Sequence, residues 1–304
     1  MDAVIVAARL VQFTGAAILF GTPLFFLYGM RGAADGGRWL RRLLSISSGV
    51  VLIGAAVLLS AQTAQMAGDP AAAFDGAILL SVLTGSPFGA AILVRLAAAV
   101  AALAGCLAMR DGSRLWIATS VLGAVVLASF AWTGHGAAEE GLAGQVHAAA
   151  DVVHLLAAGV WLGALIALAG LLGAARVDAS DDIHALQRAL AEFSGIGSAA
   201  VAAILASGLI NSWFLVGPSR IWSMGASPYG LLLIAKVGLF VAMLALAAAN
   251  RFRLTPDLER GLAAGDPRGA VAALRRSIFT ETGAGLAVLI LVSVLGTLEP
   301  VSAQ

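Results

Sequence analysis

Three ionisable side chains, His147, Asp151 and His154, stand at the head of the apolar stretch HAAADVVHLLAAGVWLGAL. Spacings of four and then three residues put all three on one face of a helix. Imidazole and carboxylate together suit a transition metal such as copper or zinc. Geometry narrows the pairing. At 1.5 Å of rise per residue the two histidines lie about 10 Å apart along the axis. His147 with Asp151, or Asp151 with His154, is therefore expected to share an ion, rather than the two histidines together. His135, in Gly134-His135-Gly136, offers a further ligand from a neighbouring loop, and Met66 and Met224 offer soft sulfur to Cu(I). A plainer reading competes with this one, in which Asp151 only balances the charge of Arg9, Arg95 or Lys236. Intramembrane charge costs roughly 3 kcal/mol per group on insertion scales, which weighs toward function.

The element carrying the trio must cross a membrane. Of 304 residues, 60% are hydrophobic and only 12% charged, about half the charge of a soluble domain, and the mean hydropathy is +0.96. Apolar segments of spanning length occur at 3–28, 44–65, 87–108, 115–132, 147–172, 195–216, 229–249 and 280–298. Irregular chain and open sheet edges cannot face lipid, so the expected fold is all-α, a polytopic bundle of eight transmembrane helices. Asp2 and the absence of a basic stretch before the first apolar run lead us to expect a retained span there rather than a cleaved signal. The single cysteine, Cys106, excludes a disulfide framework or a cysteine metal cluster within one chain.

Orientation follows from the arginines. The loops after the first, third, fifth and seventh spans hold 14 basic residues, whereas the alternate loops and both tails hold only Arg220. The positive-inside rule then places both termini outside, in the periplasm. With that orientation Arg9, Gln12, Gln62, Arg95, His147, Asp151, His154, Asn211 and Lys236 all fall in the outer third of the membrane. Trp132, Trp213 and Trp222 are expected at the outer interface, and Trp39 and Trp116 at the inner one. Glu281, near the start of the last span, reads first as a helix N-terminal carboxylate. Its second reading is a group assisting exit or proton exchange. The loop 250–279 is expected to form an amphipathic surface helix and holds no nucleotide fingerprint, so ATP is not expected to drive this chain.

An internal repeat divides the chain. Ser86-Pro87-Phe88-Gly89 before Arg95 matches Ser227-Pro228-Tyr229-Gly230 before Lys236 at an offset of 141 residues. At an offset of 142, Arg9, Gln12 and Gly21 fall on Asp151, His154 and Gly163, and at 149 Gln62 falls on Asn211. The expected organisation is an N-terminal four-helix half (1–132), a periplasmic loop (133–146) and a C-terminal four-helix half (147–304), two parallel repeats with a site between them.

The quoted stretch, with SGLINSWFLVG (207–217), SPYGLLLIAKVGLF (227–240) and AAANRFRLTP (247–256), resembles the signature of the CopD family of bacterial copper-resistance membrane proteins. The likeness covers 147–298 well; the first half resembles the family in its span layout and helix-3 pattern. It implies an inner-membrane protein, not an enzyme, that takes copper from the periplasmic side beside a separate CopC-like periplasmic copper protein. By motif match His147, Asp151, His154, Trp161, Asn211 and Lys236 are the family's positions. The resulting expectation is copper import, with Lys236 or Arg95 holding Asp151 until the metal displaces it, and passage between the two halves. No nucleic-acid partner is expected, and the lack of paired cysteines argues against ATPase-type export. Two alternatives stay open: a b-type haem electron-transfer protein, which would need axial histidines on facing helices, and a copper-binding sensor or assembly protein without transport.

Overall fold

The computed structural model describes residues 2–30, 37–134, 141–174 and 180–303, so His135 lies outside the described residues. The described residues form helices and no strand. In chain order these are α1 (Asp2–Gly29), α2 (Gly37–Ala67), α3 (Gly76–Gly85), α4 (Pro87–Ala108), α5 (Ser113–Ser129), α6 (Gly141–Ala174), α7 (Ser180–Leu215), α8 (Pro228–Ala249), α9 (Thr255–Ala263) and α10 (Arg268–Leu295). Eight helices are long and apolar enough to cross a membrane, with α8 and α9 counted as one through a π turn at Asn250–Leu254. α3 is a short apolar helix ahead of α4.

Successive spans run in opposite directions, and arginines tie their ends. Arg41 at the start of α2 donates to Asp111 Oδ1 (2.6 Å) and to the Cys106 carbonyl (2.8 Å) at the end of α4. Arg275 at the start of α10 donates to the Leu172 carbonyl (2.7 Å) at the end of α6. These contacts lie at what is here called the basic end of the bundle.

At the centre stands α1, packed against α2, α5, α6 and α10. In lipid, close packing rather than hydrophobicity drives helix association, and small residues permit it. A Cβ on Gly21 would overlap the Gly159 carbonyl, and one on Gly163 would overlap the Gly21 backbone. On Gly123 it would meet the backbone of Leu19 and Phe20 at 2.5 Å. Thr22 Oγ1 adds a bond to the Gly163 carbonyl (3.1 Å). The seam between the halves is thus closed by backbone contact at this level. By contrast α8 lies at the periphery, packed on α10 and with few buried residues along its span.

The structure bears on three further expectations. Trp39, Trp132, Trp213 and Trp222 are exposed, whereas Trp116, in the first turn of α5, is buried against the bundle. The loop 250–279 holds an amphipathic helix, α9, joined without a break to the seventh span through the π turn. Glu281 stands 13 residues into α10, buried, so it is no helix N-terminal carboxylate.

Candidate metal site

Ser227 caps α8 by accepting from the Gly230 amide (3.1 Å), and Pro228 takes the first helical position, where its missing N–H is harmless. That cap sets the register bringing Lys236 toward α6. From α6 come His147, Asp151 and His154, and from α7 Asn211. These five residues, with Arg9, line one cavity of about 160 Å³.

Asn211 Nδ2 donates to Asp151 Oδ1 at 2.6 Å, while Asn211 Oδ1 is buried with no hydrogen-bond partner. That amide oxygen is an unmet acceptor on a wall of the cavity. His154 Nδ1 lies 3.1 Å from Ser207 Oγ, whose own proton goes to the Ala203 carbonyl at 2.5 Å. Nδ1 therefore donates to Ser207, and Nε2 keeps the lone pair a metal would use. His147 is 1% exposed and stacks on Phe214, centroids 4.7 Å apart and planes 8° from parallel. The trio shares the cavity without converging: among the described residues no group of three His, Cys, Asp or Glu is placed to hold one ion. Nor does any ion pair within 4.0 Å join Asp151 to Arg9, Arg95 or Lys236 among the described residues.

Arg95 is elsewhere altogether. Fully buried, it donates to Gln12 Oε1 (2.8 Å), Ser129 Oγ (3.0 Å) and Thr133 Oγ1 (3.2 Å), and its guanidinium lies 3.9 Å above the Phe130 ring. Gln12 in turn donates to the Ala8 and Gly54 carbonyls, both at 3.0 Å. The expectation that Arg95 holds Asp151 is thereby corrected, since neutral acceptors and an aromatic face already occupy its fork.

The other expected residues are dispersed. Met66 is 60% exposed and lines a separate cavity of about 290 Å³ with Gln62, Gln65 and Arg9. Met224 packs beside Val216, Tyr229 and Leu295. Trp161, grouped with the outer network by motif, lies deeper, where its Nε1 donates to Glu281 Oε1 (2.9 Å) and Phe240 meets its ring edge-on. Ser207 and Asn250 were not singled out from the sequence. Ser207 stands four residues before Asn211, on the same helical face, which was the available signal.

The cavities follow one another along the bundle. Arg9 and Gly296 are common to the Met66 cavity and the Asp151 cavity. His154 and Lys236 separate the Asp151 cavity from an apolar one of about 230 Å³. Trp161 separates that one from a chamber of about 540 Å³ reaching Arg251 and Glu259 at the basic end.

Comparison with known proteins gives two family matches. Residues 1–145 match the family model described as copper resistance protein D-like, N-terminal domain, and residues 187–295 match copper resistance protein D. The chain is 38% identical over 305 residues to copper resistance protein D of Pseudomonas syringae pv. tomato, covering 98% of this chain and 97% of that one. It is 28% identical over 302 residues to inner membrane protein YebZ of Escherichia coli (strain K12), covering 97% and 98%. Copper transport protein CutJ of Bacillus subtilis (strain 168) is 29% identical over 302 residues, which are 96% of this chain and 52% of that one. No solved structure matches the chain.

Proposed function

The chain belongs to the copper resistance protein D family, and from that premise we propose that it imports copper from the periplasmic side through the Asp151 cavity. It is a multi-pass inner-membrane protein of a copper resistance and transport family. Copper is the cargo. Asp151 and His154 Nε2 are its principal ligands, Asn211 Oδ1 is the third, and His147 stands above them. The unpartnered Asn211 oxygen beside a carboxylate is the observation that carries this reading, because it leaves a buried demand for positive charge.

Arg9 and Lys236 share the cavity and repel an arriving cation, so copper competes with them for Asp151. From there the ion moves past His154 and Lys236 into the C-terminal half, along the row of cavities toward the basic end. The exposed Met66 and the Gln62 amide stand where copper would first be met, with Met224 and His135 as further donors on that side. A separate CopC-like periplasmic copper protein is the proposed donor. In this reading the site belongs to the C-terminal half, 147–304, and the N-terminal half, 1–132, is its scaffold.

Replacing Asp151 with Asn keeps the shape and removes the charge. Copper bound by the purified protein is expected to fall at least tenfold, with copper-dependent accumulation in cells lost. Unchanged accumulation in cells making normal amounts of the variant would overturn the proposal. A haem reading gains no support from the geometry. The cavity is about 160 Å³, against roughly 300 Å³ for the smallest organic-ligand pockets. The buried histidine and its part-buried neighbour both stand on α6 rather than on facing helices.

A further inference from the structure

Toward the basic end, apart from the Asp151 cavity, Glu281 is 1% exposed in the middle of a membrane-spanning helix. Both its carboxyl oxygens accept from neutral donors: Oε1 from Trp161 Nε1 and Oε2 from Asn250 Nδ2, each at 2.9 Å. Among the described residues no cationic side chain lies within 4.0 Å of it. The charged groups on the same chamber are Arg251 and Glu259, and Arg251 is turned to α7, donating to Ser198 Oγ at 2.5 Å. Asn250 Oδ1 is buried with no partner. Asn250 opens the π turn, a local widening of the helix that recurs at functional positions.

These contacts allow two hydrogen-bond arrangements in which both carboxyl oxygens are met. With Glu281 ionised, the Asn250 amide donates to Oε2, as observed. With Glu281 protonated at Oε2, a half-turn of the Asn250 amide puts Oδ1 where Nδ2 stood, and the new O–H donates to it. Trp161 donates to Oε1 in both. The carboxyl can thus exchange a proton without disturbing the helices around it, and the chamber of about 540 Å³ that it lines leads to the basic end. A metal is the poorer occupant, since the donors here are all oxygen and copper favours nitrogen and sulfur.

We propose that Glu281, with Asn250 and Trp161, is a proton-binding site loaded from the chamber at the basic end. It goes beyond the copper reading and stands on different residues. In a chain that moves copper it supplies a charge to exchange against the ion arriving past Trp161.

The test is infrared difference spectroscopy of the full chain in lipid nanodiscs across a pH series. The wild type is expected to show a protonated-carboxyl carbonyl band that titrates. Glu281→Gln should lose that band and Asp151→Asn should keep it. Asn250→Leu removes the alternating partner and should displace both the band and its midpoint, which tests the proposal even if E281Q fails to fold. A titrating band that survives unchanged in E281Q or N250L, or a wild type with no titrating band, would overturn it. Copper bound by the same preparations is counted separately, so failure of the copper reading does not mimic failure of this one.

Discussion

At the scale of single residues, the candidate site depends on how one imidazole is held. Ser207 Oγ donates to the Ala203 carbonyl and so accepts from His154 Nδ1. Ser207→Ala should therefore loosen the ring and weaken copper binding by about 10–100-fold, the usual cost of losing the partner behind a metal-ligating histidine. Competition titration against a chelator of known affinity reads this directly; an unchanged affinity would remove His154 from the ligand set. Lys236 acts oppositely. It faces the same cavity as Asp151 without pairing closely to it, so Lys236→Met should tighten equilibrium copper binding about tenfold while slowing release in a transport assay. The spacing of His147, Asp151 and His154 made the face legible from sequence, because helical periodicity is fixed. That Arg95 turns away from Asp151 was not legible. Arg95 has the right charge and depth, but Ser129 and Thr133 come to it from α5 and the turn beyond, and Gln12 from α1. No local pattern announces those partners.

Among the elements, the decisive contact is the glycine seam between α1 and α6. Gly21→Ala or Gly163→Ala places a methyl group on opposing backbone, which cannot swing away as a side-chain end can. Each is expected to destabilise the protein by about 1–3 kcal/mol, the range for overpacked interiors, while Gly49→Ala, which meets open space, should change little. Thermal unfolding in detergent would distinguish them. Helix number and position were legible because spanning length and low charge are properties of the segment alone. Burial was not. The span with the highest mean hydropathy, α8, is also the least buried, since lipid is as apolar as a packed interior and erases the periodicity that marks a buried face in water.

Over the whole molecule, the two halves take the same local structure at matching places and use it differently. Ser86 caps α4 through the Gly89 amide at 2.9 Å, as Ser227 caps α8. Gly21 and Gly163, 142 residues apart, touch each other, as equivalent residues on a two-fold axis would. At the positions that matter the halves diverge. Arg95 fills its pocket and bonds to Gln12; their counterparts Lys236 and His154 line open cavities instead. In the proposed reading the first half is a scaffold, with a buried guanidinium where the second half has its site. Hydrogen bonds to a charged group contribute about 1.5–3 kcal/mol each, so Arg95→Ala should destabilise the protein by several kcal/mol and leave copper per folded chain unchanged. Loss of copper from well-folded R95A would place the first half in the site.

The central claim is that this chain binds copper at Asp151. Elemental analysis of the purified, copper-exposed protein beside Asp151→Asn, counting copper and iron in one run, tests it most directly. The account expects stoichiometric copper without iron in the wild type and little of either in the variant. Iron in stoichiometric amount, or equal copper in both proteins, would contradict it.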